Sequence, residues 1–206
     1  MLAGKFIAIE GIDGVGKSTA VDNIVTWLES RGLDYLVVNG IDGTEYGADI
    51  RKILCTKKET GAPLDPITEI LLFYAARRQL IEEVIKPAIL AGKWVIIDRY
   101  YLSTLAYQGF GLNVGLMGTI LSLNDLIEVI EPDLHLILVA DITTCRARVS
   151  KRGQVDRIES RSDEFFNAAQ DGFKRMARDK RNCRLINADY PIASVTEEIL
   201  DAIKYV

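Results

Sequence analysis

Short apolar runs alternate along the chain with longer stretches in which apolar residues recur every three or four positions. The apolar runs have the length of buried strands, and we predict strands at Phe6–Glu10, Tyr35–Val38, Trp94–Asp98 and Leu134–Ala140. A weaker run at Arg184–Asn187 predicts a fifth strand. Strands that alternate with helices favour an α/β fold, in which a parallel sheet carries helices on both faces.

The periodic stretches predict amphipathic helices. The clearest helical face follows the first strand and consists of Val21, Ile24, Val25 and Leu28. Apolar residues at helical spacing between 192 and 203 predict a closing helix. Pro87 lies inside a helical pattern and is predicted to kink or end that helix, because proline lacks the N–H that the helix needs. The glycines between Gly109 and Gly118 predict a loop.

Composition narrows the class of protein. The chain has 206 residues, of which 49% are hydrophobic and 26% charged, as expected for one globular domain over residues 1–206. With 25 basic and 29 acidic residues, its net charge of −4 disfavours general nucleic-acid binding. Its apolar runs are too short to cross a membrane, and the apolar start is too short for a signal peptide. Because the three cysteines show no CxxC spacing, we expect a cytoplasmic protein.

Residues 11–18 carry a complete GxxxxGK[ST] motif between the first strand and the first helix. Glycines let backbone N–H groups face phosphate oxygens, and the helix N-terminus adds a positive field. Lys17 would place a charge near a transferred phosphoryl group, and Ser18 would offer a hydroxyl to Mg²⁺. A glycine turn without a ligand is disfavoured, because strand, motif and helix occur together. The predicted ATP-binding residues are Gly11, Ile12, Asp13, Gly14, Val15, Gly16, Lys17, Ser18 and Thr19.

The phosphate-binding motif alone does not name a reaction, and the end of the third strand discriminates further. That strand ends in Asp98-Arg99 rather than in the Asp-x-x-Gly of switch GTPases, and no Asn-Lys-x-Asp motif is present. Asp98 would lie beside the phosphate-binding loop, where it could hold Mg²⁺ through water or cap the following helix. Arg99 would point into the same crevice, to bind a phosphate or to form a surface ion pair.

Two residue pairs have the spacing of one helical turn. Phe73 and Arg77 could stack a base and donate to its carbonyl edge, or be a core phenylalanine beside a surface arginine. Thr104 and Gln108 could read a pyrimidine edge, or lie on a solvated helix face. The residues alone leave these alternatives open.

Five segments, in order along the chain, resemble the thymidylate (dTMP) kinase family. They are Ile9–Gly14, Leu72–Arg77, Asp98–Tyr100, Ser103–Gly109 and Arg152–Glu159. The resemblance implies a P-loop NTPase fold, with a five-stranded parallel sheet in the order 2-3-1-4-5. It also implies transfer of the γ-phosphoryl group of ATP to dTMP with Mg²⁺, giving dTDP and ADP for dTTP biosynthesis, in a homodimer.

The resemblance also implies roles for the residues around the acceptor. Those that match the family's base site are Phe73, which would stack on thymine, and Arg77, Thr104 and Gln108, which would contact its edge. Tyr107 would crowd the sugar 2′ position, and Asp13 would approach its 3′ side. Arg51 and Arg99 would hold the acceptor phosphate.

Residues 146–161 are locally basic, and the resemblance makes them a lid over the phosphates. No arginine lies between Gly11 and Lys17, so the chain resembles those family members whose catalytic arginine comes from the lid. Arg148, Lys151 and Arg152 have the spacing of one helical face, and Arg152 is predicted to be the catalytic one. The alternative is a solvated helix face.

One segment departs from the family pattern. The family's Arg-Glu-Pro-Gly-Gly-Thr corresponds here to residues 39–44, Asn-Gly-Ile-Asp-Gly-Thr, with Asp42 as a substitute acidic residue. This difference leaves open a broader deoxynucleoside monophosphate kinase. A P-loop ATP-binding switch protein without acceptor chemistry is the second alternative, which Asp98, Arg99 and the lid disfavour.

Overall fold

Five parallel strands form the centre of the computed structural model, which describes residues 4–57, 59, 61–153 and 155–206. The strands are β1 (Phe6–Glu10), β2 (Tyr35–Asn39), β3 (Trp94–Asp98), β4 (Leu134–Val139) and β5 (Cys183–Asn187). Their order in the sheet is β2-β3-β1-β4-β5. This confirms the predicted topology, and each predicted strand is confirmed to within one residue at either end.

In the described part of the chain, helices connect the strands and cover both faces of the sheet. The α-helices are α1 (Lys17–Glu29), α2 (Glu45–Cys55), α3 (Pro66–Leu80), α4 (Lys86–Leu90), α5 (Tyr101–Thr104), α6 (Met117–Leu126), α7 (Ile142–Lys151), α8 (Asp163–Asp179) and α9 (Ile192–Lys204). Two π-helical segments interrupt them, the first at Ile81–Ile85 and the second at Leu105–Gly111. None of these helices combines the length and hydropathy that a bilayer span requires.

Of the two outcomes predicted for Pro87, a kink or an end of its helix, the end is wrong, and the kink stays a prediction. The first π segment follows α3 directly, and α4 then continues to Leu90 with Pro87 in its first turn. Proline is tolerated in a first turn, because its missing N–H has no partner to lose there. The break in hydrogen-bond register therefore lies in the π segment, just before the proline.

The predicted loop from Gly109 to Gly118 is also wrong at both ends. Gly109 and Gly111 belong to the second π segment, and Gly118 belongs to α6. A Cβ on Gly111 would approach the Phe165 ring to 2.6 Å, so this glycine serves close packing of the π segment against α8. Only residues 112–116 between these helices lack regular helical structure.

The register of the sheet brings two loops together at its carboxyl edge. Ile9 of β1 pairs with Asp98 of β3, and the backbone N–H of Arg99 donates to the carbonyl of Ile9 at 2.9 Å. The loop after β1 and the loop after β3 therefore begin side by side. Ligands bind at this edge in open parallel sheets, outside the carboxyl ends of the strands.

Candidate functional site

A cleft of about 590 Å³ opens at the carboxyl edge of the sheet. The predicted site residues that line it are Asp13, Gly14, Gly16, Lys17, Ser18, Thr19, Arg51, Phe73, Arg77, Asp98, Arg99, Thr104, Tyr107, Gln108 and Arg152. Three further predicted residues, Gly11, Ile12 and Val15, are buried behind this lining. The structure thus brings together residues that are spread over most of the sequence.

The phosphate-binding loop owes its shape to its glycines. Gly11, Gly14 and Gly16 all have positive φ angles, of 136°, 79° and 112°. A side chain at Gly14 would collide with the backbone carbonyl of Cys145, so the loop also packs too closely on α7 for any larger residue. The loop leads into α1, whose first three residues line the cleft, and the N-terminus of a helix favours a bound anion.

Lys17 begins α1 and is almost fully buried. Its Nζ donates to the carbonyl oxygen of Ile12 at 3.0 Å, which folds the side chain back over the loop. Burial, reinforced by the nearby Arg99 guanidinium, lowers the pKa of Lys17 from 10.5 to about 8. A bound anion would compensate this ammonium for the hydration that it has lost, because an opposite charge stabilises the charged form.

Asp13, Arg99 and Tyr107 form a connected polar group on the cleft wall. Arg99 Nη2 donates to Asp13 Oδ1 at 2.6 Å, and the Tyr107 hydroxyl donates to Asp13 Oδ2 at 3.0 Å. Burial opposes ionisation of Asp13, but the charges of Arg99 and Lys17 outweigh it and hold the pKa of Asp13 well below its usual range. Arg99 also donates to the Gly11 carbonyl at 2.8 Å, so it contacts the phosphate-binding loop directly.

The turn after β3 is held by an acidic residue that the sequence analysis missed. Glu10, the fully buried last residue of β1, accepts hydrogen bonds from the Tyr100 backbone N–H at 3.0 Å and from the Ser103 hydroxyl. Arg99 within this turn has a φ of 72°, which is uncommon for a residue other than glycine. Glu10 therefore supports the strained turn that aims Arg99 at the cleft, and a carboxylate ending an apolar strand was the signal for it.

Asp98 ends β3 with a side-chain oxygen that the described residues leave without a partner. Its Oδ1 is buried and has no hydrogen-bond partner in the described residues. The alternative role as a helix cap is wrong, because α5 begins at Tyr101 and Asp98 does not cap it. A buried carboxylate oxygen without a partner is costly unless something binds there.

The opposite wall of the cleft carries a buried guanidinium. Arg77 is only 3% exposed; its Nη2 donates to Thr104 Oγ1 at 2.8 Å and to the Tyr100 carbonyl at 3.3 Å. Its Nη1 is buried and has no partner in the described residues. The surface-arginine alternative is therefore wrong, and Arg77 offers a free donor beside Phe73.

Gln108 is also buried, so the solvated-face alternative is wrong for it and for Thr104. Its Nε2 donates at 2.7 Å to Glu69 Oε1, a residue of α3 that the sequence analysis missed. Arg157 and Arg161 each approach Glu69 Oε2 to 2.7 Å. These arginines come from the segment after α7, so Glu69 ties that segment to the cleft wall.

The predicted lid combines α7 with the turns that follow it, and Gln154 within it lies outside the described residues. Arg148 Nη1 donates to the Gly14 carbonyl at 3.1 Å, and Arg152 pairs with Glu159. Both arginines line the cleft. Lys151 is exposed and does not line the cleft. Of the three basic residues with the spacing of one helical face, only the two arginines therefore reach the cleft.

The segment that departs from the family pattern also reaches the cleft. Asn39, Gly40, Ile41 and Asp42 all line it. Asp42 Oδ2 lies 3.3 Å from Arg51 Nε on α2. The substitute acidic residue is therefore paired with the guanidinium that the resemblance assigns to the acceptor phosphate.

Comparisons with known proteins agree on one family. The family model described as thymidylate kinase matches residues 9–199. The thymidylate kinase of Haemophilus ducreyi is 38% identical over 98% of this chain and 94% of its own, and that of Legionella pneumophila strain Corby is 39% identical over 98% and 95%. The crystal structure of thymidylate kinase from Ehrlichia chaffeensis superposes with a TM-score of 0.77 at 29% identity, covering 98% of this chain and 99% of that one. The chain belongs to the thymidylate kinase family.

Proposed function

We propose that this protein transfers the γ-phosphoryl group of ATP to dTMP, giving dTDP and ADP. Family membership supports the reaction, and one structural observation supports this cleft as its site. The phosphate-binding loop and the buried Arg77, with its unpartnered Nη1, line the same cavity. A donor nucleotide and the base of an acceptor nucleotide can therefore occupy one site at the same time.

In this reaction an oxygen of the dTMP phosphate attacks the γ-phosphorus in line. A new P–O bond forms as the bond between the γ-phosphorus and the ADP oxygen breaks. Catalysis then depends on positioning and charge. Lys17, Arg99 and Arg152 line the cleft and would offset the charge on the transferred group. Arg152 must first leave Glu159, with which it is paired.

The acceptor would bind against the wall formed by α3 and the second π segment. Phe73 would stack on the base, while Arg77, Thr104 and Gln108 would contact its edge. Tyr107 and Asp13 are hydrogen-bonded at 3.0 Å, and together they would border the sugar. Arg51 and Arg99 would hold the acceptor phosphate. Arg51 would then break its ion pair with Asp42 and pair with the phosphate instead.

Mg²⁺ is the second part of this proposal, and the residues present fit it. Hard cations bind oxygen ligands, and the cleft offers the Ser18 hydroxyl and the unpartnered Asp98 Oδ1. When bound, Mg²⁺ would neutralise part of the phosphate charge. Asp98 and Ser18 would orient it, directly or through water.

The test measures ADP release from ATP and Mg²⁺ with each of six acceptors: dTMP, dUMP, ribothymidine monophosphate, dCMP, dGMP and AMP. We expect dTMP to be preferred. A methyl group in an apolar pocket is worth about 1–3 kcal/mol, so dUMP should react about 10- to 200-fold less efficiently. Faster reaction with dGMP or AMP would contradict the base site. ATP binding without turnover of any acceptor would support the switch-protein alternative.

The last part of the proposal concerns the cellular compartment and the oligomeric state. We propose a cytoplasmic homodimer. Its three cysteines are all unpaired, which suits a reducing compartment. Exposed apolar side chains on α2 and α3 would suit a partner, namely Tyr46, Ile53, Ile67 and Leu71. Light scattering should give twice the chain's 22.9 kDa, and a monomer at micromolar concentration would contradict it.

A further inference from the structure

The buried carboxylate of Glu69 belongs to no part of the phosphate chemistry, yet it contacts the cleft wall. It lies on α3 with no exposed surface and receives Gln108 Nε2 on Oε1 at 2.7 Å. Arg161 bridges both of its oxygens, at 2.9 Å and 2.7 Å. Arg157 approaches Oε2 at 2.7 Å. A buried charge with these partners is compensated, and its geometry is fixed.

The protonation state of Glu69 determines what it can do to Gln108. Burial raises the pKa of a carboxyl group, but Arg161 and the other donors outweigh burial here and hold the pKa of Glu69 below its usual value. Glu69 is therefore ionised at neutral pH. An ionised carboxylate only accepts hydrogen bonds, so it must face the amide nitrogen of Gln108.

The orientation of Gln108 in turn sets the polarity of the base site. An amide that turns its nitrogen toward Glu69 turns its oxygen away from it, and Gln108 lines the cleft. Gln108 then has its acceptor turned away from Glu69, and Arg77, which lines the same cleft, has an unpartnered donor at Nη1. Thymine and uracil offer the complement, an N3–H donor beside the O4 acceptor. Cytosine offers the opposite, an N3 acceptor beside a 4-amino donor.

We propose that Glu69 is a positioning residue that locks the side-chain amide of Gln108 with its oxygen toward the cleft, and so makes the enzyme reject cytosine. This inference rests on the proposed function, because it assumes that a pyrimidine monophosphate binds against this wall. Mismatched hydrogen bonding in a buried site is strongly selective, since each wrong base leaves polar groups unpaired.

The test measures kcat/KM for dTMP, dUMP and dCMP in wild type and in Glu69→Gln. A glutamine at 69 can donate as well as accept, so Gln108 gains the freedom to turn over. We expect the ratio of dTMP to dCMP to fall at least tenfold. The ratio of dTMP to dUMP should stay within about twofold, because these bases share the N3–H and O4 groups.

Glu69→Gln could fold poorly, because it leaves Arg157 and Arg161 without their carboxylate partner. Two further variants keep the test decisive in that case. Arg161→Gln removes one arginine but keeps the carboxylate, so its dTMP to dCMP ratio should match wild type. Glu69→Gln combined with Arg161→Gln restores the charge balance and should show the lowered ratio. If the double variant keeps the ratio of Arg161→Gln, the inference is overturned.

A Gln108→Leu background tests whether Glu69 acts through Gln108. There, adding Glu69→Gln should leave the dTMP to dCMP ratio unchanged, and a further tenfold fall would overturn the inference. Failure of the proposed function looks different. Wild type would then phosphorylate no pyrimidine monophosphate, which would overturn both proposals before any variant is compared.

Discussion

Lys17 is the residue whose ionisation should control the pH dependence of activity. Burial and the neighbouring Arg99 lower its pKa to about 8, and only the charged ammonium offsets phosphate charge. Because kcat/KM follows the ionisation of the free enzyme, we expect kcat/KM for ATP to fall as the pH rises above about 8. A pH–rate profile measures this. An undiminished value at about pH 10 would contradict it.

Lys17→Ala separates catalysis from stability. Activity should fall by about 10²–10³-fold or more, because a charge at the transferred group is lost. The folded chain binds the Lys17 proton less tightly than the unfolded chain, so the charged side chain lowers stability below pH 8. This penalty fades as the pH rises from about 8 to 10.5.

We therefore expect Lys17→Ala to be at least as stable as wild type in urea at pH 7, and its advantage to shrink at high pH. Lys93→Ala, at an exposed position, is the matched control and should change neither activity nor stability. Unfolding of Lys17→Ala at much lower urea concentration, or its full turnover, would contradict the assignment.

At this scale, local motifs could be predicted and distant pairings could not. The phosphate-binding loop is contiguous, so its glycines and Lys17 are visible in the sequence. Glu69 is 92 residues from Arg161, and only the fold shows that they meet. Its position on α3 beside apolar neighbours does not distinguish a buried carboxylate from an exposed one.

Among the elements, α7 and the residue that caps its C-terminus place two arginines in the cleft, Arg148 and Arg152, and substitution can tell their roles apart. Arg152 is 58% exposed, so its pair with Glu159 contributes little to stability. Arg152→Ala should leave the melting temperature nearly unchanged and lower kcat by about 10³–10⁵-fold if it is the catalytic arginine. Arg148→Ala, one helical turn earlier within α7, is the comparison. A larger kcat loss in Arg148→Ala would transfer the role to that residue.

The segment after β2 should set the affinity for dTMP. Asp42 is paired with Arg51 at 3.3 Å, and its negative charge opposes an acceptor phosphate in the same cleft. Asp42→Asn should lower KM for dTMP about 2- to 5-fold, the effect of one charge through water-filled space. It should leave KM for ATP unchanged.

The matched control is Asp49→Asn. Asp49 forms an exposed pair with Lys52 on the same helix as Arg51, outside the cleft lining. Its substitution should leave KM for dTMP unaltered. A rise in KM for dTMP in Asp42→Asn would instead show that Asp42 helps to bind the acceptor.

The elements themselves were predictable where their pattern is regular. Buried strands produce unbroken apolar runs, and their order followed from the family resemblance. The π segments were not predictable, because a wider turn shifts the periodicity by one residue and resembles a break. Gly109 and Gly111 suggested a loop, because their close packing depends on other helices: Gly109 packs on Met117 of α6, and Gly111 packs on Phe165 of α8.

For the whole molecule, the cleft should behave as one site built from distant elements. An analogue that joins ATP to dTMP would contact the phosphate-binding loop and Arg77 together. At 100 times its Kd it should stabilise the protein by about 2.7 kcal/mol. For a chain of 206 residues this corresponds to a rise in Tm of about 5–10 °C.

Arg77→Met should lose much of this rise at the same analogue concentration, measured against its own ligand-free Tm. Arg178→Met, at an exposed position on α8, should keep the full rise. Equal stabilisation of Arg77→Met and wild type would mean that the analogue is held by the phosphate-binding loop alone. The two halves of the cleft would then not form a single kinase site. Because the loop after β1, the end of β3 and α3 all contribute to the cleft, the shift should appear as one cooperative transition of the entire fold.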